Sequence, residues 1–450
     1  MYENKKFFIL GMARSGYEVA KLLASMNNEI LITDIKEQDA KHVQELIDLG
    51  VNYVITNEPE NLLDSSYDYM IKNPGIHLDH KCVIKAKELN IPIINEVELA
   101  YHLLPKDINI IGVTGSNGKT TTVTLIYEIL KKANLNVHLG GNIGFPLSSL
   151  VKEIKQNDIL LMEISDHQLL DMYDFKTNIS VLTNISPTHL DLHGTYEHYK
   201  YTKKRIFNNH TNNDIAILNF DNNDVLEITK DIPSKIEYFS STEKKDAYID
   251  DGTIYYSNEA VINIKDIKIK GSHNYENIMA AIMVVKKFNV SNDIIKEVLG
   301  TFNGVEHRIE FVRTLNGVDY YNDSKSTNPK STITALSSFE NPTILILGGY
   351  DRKEDLSVLS KYIKNVKYIV GYGQTKEKVK LFAENNNIPC SIVDTIKEVV
   401  PICYKEAKEN DIVLLSPACA SWDQYDHFEE RGDEYKELVN KLGDENICQK

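Results

Sequence analysis

The chain has 450 residues, 42% hydrophobic and 26% charged, which is ordinary for a folded protein but too long for one hydrophobic core; at about 150 residues per domain, roughly three domains are expected. A formal net charge of -15 excludes a general nucleic-acid binder, which needs a basic surface, yet leaves room for a local cationic pocket. No apolar stretch approaches the roughly 20 residues of a membrane span, the run Phe7–Leu10 is too short for a signal core, and Cys82, Cys390, Cys403, Cys419 and Cys448 lack metal or disulfide spacing, so a cytoplasmic protein without a membrane segment is expected.

In chain order, Lys6–Leu10 reads as a buried strand. It enters Gly11-Met12-Ala13-Arg14-Ser15-Gly16, a helical pattern through Leu23, and a second strand, Ile30–Thr33, that ends at Asp34. This βαβ unit is Rossmann-like. Ala13 stands where the middle glycine belongs, so the segment alone equally fits a plain strand-to-helix turn, and a nicotinamide dehydrogenase is suggested only by residues 11–16 and Asp34.

After Pro105-Lys106 the pattern restarts with the strand Ile108–Val113, the loop Thr114-Gly115-Ser116-Asn117-Gly118-Lys119-Thr120-Thr121-Thr122 and the helix Val123–Lys132, which marks a domain boundary near residue 106. Glycines let backbone N–H groups approach phosphate oxygens, Lys119 can reach the β- and γ-phosphates, and the Thr120 hydroxyl can bind Mg²⁺. Val113 occupies the place of the first glycine of the usual phosphate loop, making this a variant.

Glu163 directly follows the strand Ile159–Met162, and His189 and Asp191 follow Val181–Asn184. Each alone is ordinary loop chemistry; together, beside a phosphate loop, they suit a divalent cation. In the helix Thr195–Asn208, Tyr199, Lys203 and Ile206 share one face, so Lys203 lies on the apolar side whereas Lys200 and Lys204 point elsewhere. An inward lysine must be paired, neutral or modified; spacing alone favours a snorkelling structural lysine.

Asn274 and Asn277, at i and i+3 after Gly271, could bond a base or ribose or simply cap the helix. Arg308 stands at the join to a third run of strands, Val318–Tyr321, Thr343–Leu347, Tyr368–Val370 and Ile412–Leu415. Two loops, Asn322–Pro329 and Ser416–Asp423, fall at the carboxyl ends of these strands, where Lys325, Thr327 and Ser421 could hold a carboxylate. Cys419 has no base placed with it and is not read as a nucleophile.

Over essentially its whole length the chain resembles the Mur ligase family: Thr114–Thr120 looks like that family's ATP loop, and Gly271…His273-Asn274…Asn277 and Gly304…His307-Arg308 look like further signatures. Asn322-Asp323-Ser324-Lys325-Ser326-Thr327-Asn328 and Ser416–Gln424, continuing to Phe428, Arg431 and Gly432, resemble members that add D-glutamate; the Asp-Asn-Pro-Arg motif of the diaminopimelate-adding sibling is absent. Folate polyglutamate ligases share the middle loop but would not need a UDP-binding first domain.

The resemblance implies an α/β protein of three domains: a Rossmann-like UDP-binding domain (1–106), a central P-loop ATPase-type domain (107–309) and a Rossmann-like amino-acid-binding domain (310–450). It implies an ATP-dependent carbon–nitrogen ligase of cytoplasmic peptidoglycan precursor synthesis, a monomer that joins D-glutamate to UDP-N-acetylmuramoyl-L-alanine through an acyl phosphate. Ser15, Asp34, Asn73, Gly75, Asn142, Ser165 and Gln168 would hold the UDP substrate. Gly115, Ser116, Asn117, Gly118, Lys119, Thr120, Thr121, Asn274, Asn277, Arg308 and Asp323 would hold ATP. Thr120, Glu163, His189 and a carbamylated Lys203 would organise two Mg²⁺ ions, while Lys325, Thr327, Arg352, Ser421 and Phe428 would bind D-glutamate. Lys119, Lys203, His189 and Arg308 carry the catalytic burden in this reading. Three positions depart from the family pattern: Asp166 and His167, in Ser165-Asp166-His167-Gln168, replace the middle of the frequent Ser-Ser-Phe-Gln, and Arg352 stands where a lysine occurs.

Overall fold

Each of the three strand-and-helix runs closes on its own sheet. The computed structural model describes residues 2–188 and 193–443. The first sheet is parallel, with strands β1 (Lys6–Leu10), β2 (Glu29–Asp34), β3 (Asn52–Ile55), β4 (Tyr69–Lys72) and β5 (Ile93–Ile94) in the order β3-β2-β1-β4-β5. The unbroken apolar run of β1 follows from burial on both faces: Phe7 and Ile9 pack in one core, Phe8 and Leu10 in another. The tight turn into the helix Arg14–Ala24 needs Gly16, because a Cβ there would stand 2.1 Å from the Gly11 carbonyl oxygen.

The second sheet comprises β6 (Asn109–Thr114), β7 (Val137–Gly141), β8 (Ile159–Glu163), β9 (Ile179–Leu182), β10 (Ile215–Asn219), β11 (Lys235–Ser240), β12 (Ala247–Asp250), β13 (Thr253–Tyr256) and β14 (Glu259–Asn263). Strand β6 is central, flanked by β8 (Val113 opposite Glu163) and β9 (Thr114 opposite Leu182). Chain order therefore reverses at β6, and its carboxyl end is the switch point where α/β sheets bind ligands. The antiparallel hairpins β12–β14 did not emerge from the sequence reading. Their turn signals are Asp251-Gly252 and Ser257-Asn258, all four at positive φ (41°, 67°, 50° and 65°), as two-residue hairpin turns demand.

The third sheet has the order β15-β16-β20-β17-β18-β19, from β15 (Glu310–Leu315), β16 (Val318–Asn322), β17 (Thr343–Gly348), β18 (Val366–Tyr372), β19 (Cys390–Ile392) and β20 (Ile412–Leu415). Only the β15–β16 hairpin, turned by Asn316-Gly317, is antiparallel. Apolar side chains fill both faces: Ile344 and Val413 on one, Leu345 and Leu414 on the other. The chain divides into two compact units between Thr301 and Phe302; the first holds two sheets and the second holds one.

Candidate functional site

The loop after β6 is shaped by close approach. Gly115 has φ +146° and an added Cβ would meet Thr183 Oγ1 at 2.0 Å; Gly118 has φ +80° and its Cβ would meet Asn277 Oδ1 at 2.2 Å. The loop thus brings together Gly118 and Asn277, two residues singled out from sequence. Residues after β9 pin it: Ser116 N–H donates to Asn184 O (2.8 Å), Asn117 N–H to Asn184 Oδ1 (3.0 Å), and Thr183 Oγ1 to Asn117 O (2.6 Å). Ser116 Oγ also meets the Tyr199 hydroxyl at 2.7 Å.

The helix Lys119–Lys132 starts four residues earlier than its sequence pattern suggested, so Lys119, Thr120 and the half-buried Thr121 form its first turn, where backbone N–H groups and the dipole favour anions. Lys119 Nζ folds back onto Gly115 O (2.8 Å) and Ser116 O (3.0 Å), a position from which it can swing to a phosphate. Asn274 Nδ2 donates to Lys270 O at 2.8 Å, closing the entry to the helix Ser272–Lys286, while Asn277 lies buried beside Thr122.

Glu163 ends β8 beside this loop. Its Oε1 accepts from Asn142 Nδ2 at 2.6 Å, but its buried Oε2 has no hydrogen-bond partner among the described residues. An orphaned carboxylate oxygen next to a phosphate loop fits a bound cation, because leaving it unpaired is costly. Asn142 is placed on Glu163, and Ser165 and Gln168 cap the helix Asp166–Leu169 reciprocally, so these three hold the site's frame in this structure.

Lys203 points inward and is fully buried, as one of the two sequence readings required. Its Nζ lies 3.2 Å from Asp166 Oδ1, donates to Thr114 Oγ1 at 3.3 Å and sits over the Tyr199 ring. Burial pushes the Lys203 pKa down, against the opposing pull of Asp166. Asp166 Oδ2 also meets His193 Nε2 at 2.8 Å and His167 Nδ1 at 3.4 Å. Burial alone would raise the Asp166 pKa, but the His167, Lys203 and His193 partners hold it well below the usual carboxylate range. This Asp166–Lys203–His193 cluster was missed as a unit; the departure at Asp166 and the inward Lys203 were its two sequence signals. His189 and Asp191 lie outside the described residues. Lys200, read as pointing off the apolar face, is also buried, and pairs with Glu197 (2.8 Å) and Glu227 (3.0 Å).

At the first sheet, Asp34 accepts from Met12 N–H (2.8 Å), and Asn73 packs against Gly11, where an added Cβ would meet Asn73 Nδ2 at 2.6 Å. Ser15 is half-buried and Gly75 exposed. An open cavity of about 860 Å³ lies alongside, lined among others by Arg14, Tyr17, His42, Phe145 and Glu153. Arg14 and the largely exposed Phe145 were not singled out from sequence.

In the second unit, Asp323 is buried, accepting from Ser416 Oγ (2.6 Å) and Ile309 N–H (3.2 Å), with the nearby Arg308 charge acting on it. Burial raises its pKa to about 6. Lys325 Nζ stands 5.9 Å over the Phe428 ring, and Ser421 is buried at the turn where its carbonyl accepts from Gln424 N–H. Thr327 and Arg352 line one small cavity with Lys378 and Cys419, and the Arg352 guanidinium stacks 4.2 Å from the Trp422 ring. Arg431, fully buried, welds the two loops: it donates to Ser324 Oγ (2.9 Å), Ser324 O (2.8 Å) and Cys419 O (3.2 Å). Cys419 is buried and burial raises its pKa, consistent with a structural thiol.

With this geometry in place, comparison places the chain among known proteins. Residues 113–285 match the Mur ligase middle domain and residues 307–419 the Mur ligase glutamate ligase domain. A UDP-N-acetylmuramoylalanine–D-glutamate ligase of Geobacillus sp. (strain WCH70) is 42% identical over 446 residues, 98% of each chain. Its namesake in Bacillus cereus (strain G9842) is 40% identical over 445 residues, again 98% of each. Among solved structures, the UDP-N-acetylmuramate-alanine ligase of Thermotoga maritima aligns with a TM-score of 0.59 at 18% identity, covering 97% of this chain and 100% of that one. The MurF ligase of Thermotoga maritima, in complex with ADP, aligns at 0.56 and 17% identity, covering 98% and 96%. The chain belongs to the Mur ligase family.

Proposed function

We propose that the chain is the ATP-dependent ligase that joins D-glutamate to UDP-N-acetylmuramoyl-L-alanine in peptidoglycan precursor synthesis. The observation that carries this reading is the 42% identity, over 98% of both chains, to a relative bearing that name. The phosphate loop supplies the local chemistry. Lys119, Thr120, Asn274 and Asn277 are proposed to hold ATP in the first unit, with Gly115–Gly118 and Thr121 framing the phosphates; Arg308 and Asp323 are the second unit's proposed contribution. Ser15, Asp34, Asn73, Gly75 and Asn142 are assigned to the UDP substrate, with Ser165 and Gln168 keeping the neighbouring turn in shape. Lys325, Thr327, Arg352, Ser421 and Phe428 are assigned to D-glutamate.

The substrate carboxylate attacks the γ-phosphate, forming an acyl phosphate and ADP; the D-glutamate amine then attacks the acyl carbon and phosphate leaves. Both partners in the first step are anions, so Lys119 and Arg308 are proposed to offset their repulsion. Thr120 and Glu163, with its unpartnered Oε2, would hold Mg²⁺, which when bound neutralises charge between the oxyanions. A second Mg²⁺, His189 and a carbamate on Lys203 extend this reading. Burial of Lys203 favours the neutral amine that adds CO₂, and carbamate formation requires the amine to part from Asp166.

We also read the chain as a cytoplasmic monomer with domains at 1–106, 107–309 and 310–450, each carrying one sheet; among the described residues no helix is long and apolar enough to cross a membrane. The test is release of ADP that depends on both UDP-N-acetylmuramoyl-L-alanine and D-glutamate. Turnover with another amino acid, or without the UDP substrate, would replace this reading with that of a sibling ligase.

A further inference from the structure

Lys72 ends β4 with a side chain 0% exposed, and Asp171, two residues past the helix Asp166–Leu169, has a side chain 4% exposed. Their charged atoms stand 2.8 Å apart, yet among the described residues Asp171 Oδ2 has no donor in hydrogen-bonding geometry, so the contact is one of charge rather than a directed bond. The same ammonium donates to Ile76 O at 2.9 Å and reaches Asn73 O at 3.5 Å. One buried cation thus ties down the turn Asn73–Ile76 and joins it to the segment that leaves β8. The segment is held at further points: Asn95 Nδ2 donates to Gln168 O (2.7 Å), and the Glu98 carboxylate accepts from Asp174 N–H (2.6 Å) and Phe175 N–H (3.1 Å).

A buried ion pair is a poor way to gain stability, since an apolar pair of the same volume does as well or better. What an ion pair adds is a fixed geometry between two particular segments. One of them carries Asn73 and Gly75, assigned above to the UDP substrate; the other begins at Glu163 and runs through Ser165, Asp166 and Gln168. We propose that Lys72 is a positioning residue that, through Asp171, sets the UDP-binding turn at a fixed separation from the Glu163–Asp171 segment. The nucleotide end and the reacting carboxylate of one extended substrate are then held in register. This inference rests on the functional reading above.

The experiment is steady-state kinetics, with each substrate varied in turn, on the wild type, the double variant Lys72→Met/Asp171→Leu and the single variant Asp171→Asn. The double variant removes both charges while keeping volume, and is expected to fold. Its KM for UDP-N-acetylmuramoyl-L-alanine should rise about tenfold, with the KM values for ATP and D-glutamate within about twofold of wild type. A folded double variant with an unchanged KM for the UDP substrate overturns the proposal, leaving the pair purely structural. Asp171→Asn keeps shape and removes only charge; a selective rise of about threefold is expected there, and an unchanged KM in that variant overturns the proposal even if the double variant fails to fold. Wild-type enzyme that releases no ADP with the UDP substrate removes the functional reading itself, and the positioning role with it.

Discussion

Asp166 in the first unit and Asp323 in the second are both buried carboxylates next to loops that carry chemistry, yet their pKa values are shifted in opposite directions. Asp166 faces a lysine and two histidines, and its pKa is held far down. Asp323 accepts from the hydroxyls of Ser416 and Ser326 and from Ile309 N–H; these and the Arg308 charge do not offset desolvation, and its pKa rises to about 6. The cations repeat the contrast: Lys203 is matched by a carboxylate, whereas Arg431 is satisfied by neutral oxygens of Ser324 and Cys419. Burial alone therefore does not set the direction of the shift; the partners do. Around Lys203 in the first unit, buried charge is met by opposite charge. In the second, the buried Arg431 cation fastens two loops into one platform through neutral oxygens.

The largest expected effect tests the first unit. Lys119→Ala should lower turnover by about 10³-fold or more with the fold intact, because the Lys119 ammonium rests on the loop carbonyls of Gly115 and Ser116 at the start of the helix, within reach of a phosphate. Circular dichroism and ADP release check both halves; near-normal ADP formation would sink the phosphate-loop assignment. Lys203→Ala comes next, with a loss of about 100-fold that acetate partly restores by entering the vacated space. Removing Lys203 also strands the Asp166 charge, so this variant is expected to unfold more easily as well. Lys200→Ala, whose partners Glu197 and Glu227 remain solvated, should keep most activity. Equal losses at positions 200 and 203 would erase the distinction between a site cation and a surface network.

Sequence patterns reached the sheets well where apolar runs were continuous, as in Phe7–Leu10 and Leu345–Leu347, because parallel strands buried on both faces leave that mark. The hairpins β12–β14 were missed because their faces are unequally buried and the turn pairs went unread. Spacing placed the phosphate loop and Glu163 at strand ends and Lys203 on the apolar face of its helix, though it favoured a snorkelling lysine there. Asp166 was seen only as a departure: its meaning depends on Lys203, 37 residues away, and His193, 27 away, and no local pattern encodes such a meeting. Arg431 and the Lys72–Asp171 pair were illegible for the same reason.

The second unit's platform is tested at Thr327. Thr327→Ala should raise the KM for D-glutamate about tenfold and leave that for ATP within about twofold, since the side chain lines a cavity with Arg352 and Lys378. Equal changes for every substrate would mean that the platform itself had loosened.

The smallest effect is on stability, and it tests the charge comparison directly. A carboxyl group with an ordinary pKa near 4 in the unfolded chain and about 6 when folded binds more protons in the native state between those values. Stability from Asp323 is therefore fully present below about pH 4 and is lost as pH rises toward 6, by an amount on the order of 1 kcal/mol. Asp166 has the opposite sign: its depressed pKa contributes stability above about pH 4 that fades only as the solution becomes strongly acidic. Trp422 is the single tryptophan and lies in the second unit, so its fluorescence during urea unfolding follows Asp323's half of the molecule. Between pH 4 and 6 the wild type should lose stability relative to Asp323→Asn. Asp166→Asn should trail the wild type most at pH 7 and converge with it in acid, when followed by circular dichroism. If both variants shift in the same direction with pH, partner charge is not what separates the two carboxylates.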